Sequence, residues 1–466
     1  MKVTKWKLLL PLALLVAAGT VATSGALATP AQSGEVKVAI MTDCKGAFAS
    51  AFESDIGGAF AAFAQYAGGK PKNQKKPSAG ITGIKAGGKS IRIVGIGCGD
   101  DTAPTALKET RRLMQQLKAD VMVGPLSGDE AVVVANYAKT HLEQTFIIGT
   151  AGSQDPTLQI APKNMFRYHG DGAQWNAGLG EVLFKKAKWR TAAIIMDDYS
   201  FGWTSAAGII ADFCAVGGKI TKRVFPPLNT TDYAPFVRQL PAPNQVDGYI
   251  WVIGGSATGT AVNAFEQAHG QVNGKQHSGN LFLWSLENFQ NVAPRMVGAY
   301  AGGFGTAPGL KTKQVTKYEA VIKKWYPSLA PAAANGFVYN YYNAAWALVQ
   351  GLTKSKGALG AKLQASMPRS IRSGYEVSDK GLVKLDRNRQ AIQDQYQGQI
   401  IKNADGSVGV TIVSYAPNVD QSFGGLFTRT SPPPGRTQPK CVKKKLPWQG
   451  KVQVVKNGVI TKQFIK

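Results

Sequence analysis

Apolar positions in this chain recur as short runs and longer amphipathic stretches in a regular order, most clearly between Asp120 and Pro156. Two runs, Val121–Val123 and Phe146–Ile148, read as buried strands. Each ends in small residues, Gly124-Pro125-Leu126-Ser127-Gly128 and Gly149-Thr150-Ala151-Gly152-Ser153. Between them Asp129–His141 has helical spacing, with Val133, Tyr137 and Ala138 on one side. Strand, turn, helix, strand and turn make a βαβ unit with a right-handed crossover. In open parallel sheets, ligands bind beyond the carboxyl ends of the strands. Both turns fall there, and their amides and hydroxyls suit a small anion such as a carboxylate.

The pattern extends in both directions. Glu35–Met41 and Ile91–Ile96 predict strands, and Ile56–Tyr66 a helix with Phe60 and Phe63 inward. The Gly-, Lys- and Pro-rich stretch Lys70–Lys89 predicts an exposed loop. After GCGDDTAP a helix is expected, with Pro104 in its first turn and Asp101 or Thr102 as its cap. Leu107, Met114 and Leu117, beside Ala106, Thr110 and Leu113, form its apolar face. Beyond Pro156 the pattern restarts: helix 173–186, strand 191–196, the turn DDYSFGW, helix 203–216, strand 219–225, a short helix 232–240, strand 246–253, a helix to His269 and strand 281–284. Helices are expected over 314–325 and 337–352, shorter strands within 376–415, and a weak strand at 452–455. Two successive β/α halves imply an α/β chain of two open lobes.

With 466 residues, 44% of them hydrophobic, the chain can bury a large core and form about two domains. Its 54 basic residues outnumber 28 acidic ones, a net +26, but they are scattered. No basic helix with interleaved aromatics and no zinc-finger or RNA-binding signature is present, so nucleic acid is not an expected partner. The exception is residues 431–466, which hold nine Lys/Arg and no acid. They read as an appended basic tail, suited to touch an anionic wall or membrane. At the other end, Lys2, Lys5 and Lys7 precede the apolar run Leu8–Ala18, and Ala26-Leu27-Ala28 offers a cleavage site. Residues 1–28 therefore read as a signal peptide of an exported protein, periplasmic or extracellular. No cysteine lies near the cleavage site, so a lipid-anchored form is not expected.

Four cysteines suit an oxidising compartment and allow three pairings. Cys44 follows the first strand and Cys98 ends the second, which favours Cys44–Cys98 and leaves Cys214–Cys441. No CxxC or Cys/His cluster exists and the four histidines have no metal-binding spacing, so neither metal nor cofactor is expected. A GxSxG elbow is missing, because the serine in Gly124–Gly128 falls one place late. GIGCGDD puts Asp100 where a dinucleotide fingerprint needs its third glycine, and no P-loop occurs. The chain is not expected to be an enzyme.

The ordered blocks GIGCGDDTAPTALKETRRLM, VMVGPLSGDEAVVVANYA, FIIGTAGSQDP, FRYHGDGAQ, AAIIMDDYSFGW, DGYIWVIGG and DRNRQAIQDQYQGQI resemble the solute-binding proteins of ABC transporters. Specifically, residues 35–415 are similar to the branched-chain amino acid (Leu/Ile/Val) binding family with the type I periplasmic binding fold. The resemblance implies two lobes, each a mainly parallel open sheet flanked by helices, joined by three crossovers near 155–160, 285–290 and 350–375. The implied division is 29–155 plus 286–360 for lobe 1 and 156–285 plus 361–425 for lobe 2, followed by the tail 426–466. Hinge closure would hold ligand in the interlobe cleft.

Family roles carry over residue by residue. Gly128 stands where the family usually has a serine beside Ser127; its amide can still bind a carboxylate. In the second turn, Ala151 matches the residue whose carbonyl receives the ligand's ammonium, and Ser153, after Gly152, the one holding the carboxylate. Tyr199 and Phe201 sit where the family places a tyrosine over the ligand, and Glu287 lies near its ammonium partner. Apart from the resemblance, Phe48 and Phe52, in the loop after the first strand, are candidates to cover the ligand. Ser256 replaces an aromatic of amino-acid-specific members, a departure from a branched-chain ligand. With Glu287 in the cleft an amine is favoured, because a buried ammonium needs a carboxylate; otherwise an aromatic acid, amide or polyol fits as well. Plainer readings are helix capping for Ser127 and Ser153, core packing for Tyr199, Phe201 and the stripe Tyr339–Trp346, and a solvated loop for Glu287. The implied function is that of a monomeric receptor passing a small polar solute to an ABC permease with a separate ATPase subunit. A ligand-sensing receptor of the same fold is the alternative, and an exported hydrolase a distant third.

Overall fold

A computed structural model describes residues 34–254, 258–280, 291–303, 307, 309–372 and 382–466. The expected signal peptide, the strand 281–284, and the candidates Ser256 and Glu287 lie outside these residues. Strand β1 (Glu35–Asp43) is the centre of the first sheet. Its sequence alternates and then becomes continuously apolar, as suits a parallel strand covered on both faces. The sheet order is β2 (Ile84–Ala86), β3 (Lys89–Gly99), β1, β4 (Val121–Val123), β5 (Thr145–Ile147) and β6 (Met165–Phe166). All pairs are parallel except β2 with β3. Helices α1 (Phe52–Ala67), α2 (Ala103–Arg111) and α3 (Gly128–Ala138) join these strands. Phe60 and Phe63 are buried as expected, and Thr102 caps α2 by accepting from the Thr105 amide.

Lys70–Lys89 is not the loop its composition suggests. Lys70–Pro71 pairs with Ile81–Thr82, Ile84–Ala86 forms the sheet edge, and Pro77, Ile81, Ile84 and Ala86 are buried. The spacing of those four apolar residues is the signal; the surrounding lysines and glycines mask it.

The second sheet runs β8 (Lys219–Val224), β7 (Thr191–Met196), β9 (Gly248–Val252), β10 (His277–Gly279), β11 (Tyr300–Gly302), β12 (Ala391–Lys402), β13 (Val408–Val419), β14 (Gln453–Lys456) and β15 (Val459–Phe464). It is parallel from β8 to β11 and antiparallel from there on. The expected helix 173–186 is broken between Gly172–Trp175 and α4 (Leu179–Lys185), at Gly178 with φ +91°. Helices α5 (Ser200–Ala215) and α6 (Thr258–His269) complete this half. Helices α7 (Lys313–Trp325) and α8 (Gly336–Lys354) return to the first sheet, where both pack on α1. Tyr339, Tyr341 and Tyr342 are buried there as core. The chain thus changes sheet between Phe166 and Thr191, between Gly302 and Lys313, and between Lys354 and Ser370, where Ser370–Arg372 and Leu382–Leu385 pair on toward β12. The first two fall later than expected, the first because two-residue β6 is too short to read, and the third falls within the expected 350–375.

The basic tail is built structure. Val459 doubles back on Lys456 through an Asn457-Gly458 turn, and the resulting hairpin extends the second sheet. Asn457 and Gly458 have φ of +51° and +77°, the left-handed pair that a tight hairpin requires. Cys441 is bonded to Cys214 of α5, and Cys44 to Cys98, with Cα separations of 5.4 and 5.0 Å. Trp448 is buried and its indole donates to Asp212 at 2.7 Å. Among the described residues no helix is long and apolar enough to cross a membrane.

Candidate functional site

A cavity lies between turns at the carboxyl ends of strands from both sheets. The first half supplies Phe48 after β1, Leu126, Ser127 and Gly128 after β4, Thr150 and Gly152 after β5, and Phe337 at the start of α8. The second supplies Trp175 and, from the turn after β7, Tyr199 and Phe201. The walls leave a cavity of about 10 Å³ between them. The two walls stand close to one another here.

Aromatic rings make most of the wall. Phe48 meets Phe337 at 6.3 Å between centroids, Trp175 meets Phe201 at 6.1 Å, and Phe201 meets Tyr199 at 5.7 Å. Two glycines permit the closeness. A Cβ on Gly152 would lie 2.7 Å from the Phe201 ring and 2.8 Å from that of Trp175. A Cβ on Gly128 would lie 2.6 Å from Ser200 Oγ and 3.0 Å from the Phe201 amide nitrogen. Gly128 opens α3 and Ser200 opens α5, so two helix N-termini meet across the cleft. Where the family resemblance expects a serine in the first turn, this chain has Gly128, with the hydroxyl of Ser200 facing it from the other lobe.

Carboxyl groups stand behind the first turn. Asp101 accepts from the Ala47 amide at 3.0 Å, and its neighbours, Asp43 first and then Ser127 and the Phe48 amide, also favour its charged form. Burial outweighs them and pushes Asp101 up to about 6. Glu130 is pushed up to about 7, first by burial and then by the charge of Asp101. Asp43, buried against both, is raised well above the usual range. On the facing lobe, burial raises the Tyr199 phenol, and the charges of Asp101, Asp197, Asp129 and Asp43 add to it.

These shifts predict a pH dependence. Glu130 at about 7, Asp212 at about 7, and Asp101 and Asp171 at about 6 all bind protons in the folded state that they have lost in the unfolded chain. Raised acids contribute stability that fades as pH climbs through the folded values. His169 and His277, lowered by burial to about 3, act oppositely but only below ~6.5, the ordinary histidine value. Between pH 6 and 8 the four acids outweigh the two histidines, whose opposing effect is confined to the low end of that range, and stability should fall by about 2 kcal/mol net. Melting curves at pH 6 and 8 check this; equal or rising stability at pH 8 would contradict it.

Of the sequence candidates, Phe48, Ser127, Gly128, Gly152, Tyr199 and Phe201 line the cavity. Ser127 precedes α3 as its N-cap, yet its side chain makes no capping bond. Ala151 is buried in the core of the first lobe, and the buried Ser153 hydroxyl donates to the Gly128 carbonyl at 2.9 Å, tying one turn to the other. Leu126, Thr150, Trp175 and Phe337 line the cavity too, without being candidates from the sequence. Trp175 directly follows the FRYHGDGAQ block, and its Asp171-to-Gln174 capping box was a legible sign of a fixed turn.

A periplasmic binding protein family model matches residues 35–406. No curated protein matches the chain by sequence. Among solved structures, the chain is similar to an ABC transporter solute-binding protein from R. palustris in complex with benzoate, at 20% identity and a TM-score of 0.67, covering 83% of this chain and 98% of that one. A solute-binding protein from Rhodopseudomonas palustris BisB5 in complex with 3,4-dihydroxybenzoic acid gives 17% and 0.65, over 83% and 98%. A leucine-binding protein from Thermotoga maritima gives 15% and 0.63, over 80% and 97%. The family match, over most of the length and over both sheets, agrees with the two-lobed cleft: the chain belongs to the periplasmic binding proteins.

Proposed function

We propose that this protein is the extracytoplasmic receptor of an ABC importer, taking a small carboxylate with a flat or branched apolar body into the interlobe cleft. The observation that carries the reading is the meeting of two helix N-termini, at Gly128 and Ser200, inside an aromatic wall. Helix N-termini favour anions through their unpaired amides and their dipoles. Phe48, Trp175, Tyr199, Phe201 and Phe337 would enclose the apolar body. Two of the similar solute-binding proteins are in complex with benzoate and 3,4-dihydroxybenzoic acid and a third is a leucine-binding protein, and all three solutes are small carboxylates. An amino acid would in addition place its ammonium toward Asp101, which lies behind Ser127.

In this reading residues 34–166 with 313–366 form one lobe and 191–302 with 370–466 the other. The protein works as a monomer outside the cytoplasm, and a permease with a separate ATPase subunit receives its closed form.

Thermal unfolding with benzoates, aromatic and branched amino acids, their amides and neutral polyols tests the proposal. A matching carboxylate at ~100 times its dissociation constant should add about 2.7 kcal/mol, a rise of several degrees. The corresponding amide should give little. Stabilisation by neutral polyols alone would refute the carboxylate, and no response to any solute would refute the receptor.

A further inference from the structure

The C-terminal segment carries a feature that solute binding leaves unused. Lys185, Lys186 and Lys188, at the end of α4, meet Lys456 and Lys466 of the hairpin around a groove of about 620 Å³. Lys185 is committed: its ammonium bonds Glu181 at 2.7 Å and the Ile465 carbonyl at 3.1 Å. Lys186, Lys188, Lys456 and Lys466 are exposed and join no ion pair among the described residues. No acidic residue follows Asp420 in the sequence, so nothing in this segment neutralises them. Phe464 sits among these lysines, 51% exposed. Val442 and Val459 of the same segment are also exposed, at 46% and 56%.

We propose that this face docks the protein onto an anionic lipid surface, with the lysines on headgroup phosphates and Phe464 at the acyl boundary. Lysines alone would fit any polyanion, or would simply guard the open edge of β15 against pairing. The half-exposed phenylalanine between them fits a lipid interface, where basic and aromatic side chains act together. The Cys214–Cys441 bond, the buried Trp448 and the sheet pairing of β14 hold the face in shape before it meets its partner. The docked protein would stay on the leaflet that holds its permease without any change in the cleft.

Sedimentation of the full chain with vesicles tests this, using phosphatidylglycerol–phosphatidylcholine mixtures against phosphatidylcholine alone, at low and high salt. The wild type should partition onto the anionic vesicles only, and less at high salt. Each lysine near the surface is worth about five-fold in partitioning. Lys186→Gln with Lys456→Gln should therefore lose about twenty-five-fold, and Phe464→Ser several-fold, both with an unchanged melting temperature because these side chains are exposed. Equal partitioning onto neutral vesicles, or none onto either, overturns the proposal. Retention on soluble polyphosphate, with vesicle binding indifferent to Phe464→Ser, would overturn it in favour of a polyanion.

Discussion

Gly128→Val should abolish ligand-induced stabilisation while leaving the ligand-free protein folded. The first side-chain atom at this position would stand 2.6 Å from Ser200 Oγ and 3.0 Å from the Phe201 amide nitrogen, both on the opposite lobe. One of these partners is backbone at the start of α5 and cannot swing aside. The clash exists only when the lobes meet, so it penalises the closed state and spares the open one. A penalty of about 2.7 kcal/mol lowers apparent affinity by a hundred-fold, because affinity scales with the closing equilibrium. Calorimetry with the best solute of the panel measures the loss, and X-ray scattering with that solute measures compaction. Wild-type affinity in the valine variant would show that ligand is not held between these two turns. Gly152→Val, which would press on Trp175 and Phe201, should act in the same direction.

Both small-residue turns stood out because they end apolar runs, and the structure brings Ser127, Gly128 and Gly152 to the cavity. The sequence could not show that Gly128 faces Ser200, seventy-odd residues on, because that contact depends on how two lobes close. Ser153 looked like a ligand donor; its hydroxyl instead bonds the Gly128 carbonyl, a partner set by the packing of two neighbouring turns. Phe337 was absorbed into a helix whose other aromatics are core, and only its place in the first turn exposes it to the cleft. In the tail, the weak strand expected at 452–455 is present as β14, one residue along. Its partner β15 was not legible: the Lys-Asn-Gly-Val turn signals a hairpin, but the strand that follows it is mostly exposed and shows no buried alternation.

Arg167→Met should cost about 3–5 kcal/mol of stability, the range for removing one partner of a buried charge network. Arg167 lies between the two sheets, where it bridges Gln390 just before β12, and it is fully buried. Its guanidinium donates to the Ser153 carbonyl at 2.8 Å, behind the second turn of the cleft. Burial lowers it to about 10, against the favourable charges of Asp171, Asp155 and Asp386. Asp171 in turn is raised by burial to about 6 and held down chiefly by Arg167. Around them Gln390 donates to the His169 carbonyl at 2.7 Å and Gln421 to Asp386 at 2.7 Å, so the crossing strands share one polar network. Without the cation Asp171 would rise further, and its ionisation would cost stability at every pH above the new value. The deficit of the methionine variant should therefore be smallest near pH 5 and grow toward pH 8. Denaturant melts of both proteins at the two values separate this from lost packing. A deficit equal at pH 5 and 8 would assign the effect to volume and to the lost Ser153 bond, and one under about 1 kcal/mol would remove Arg167 from the support of the cleft. Lys at the same position keeps the charge but reaches Ser153 without the planar fork, so it should recover the pH dependence and only part of the stability.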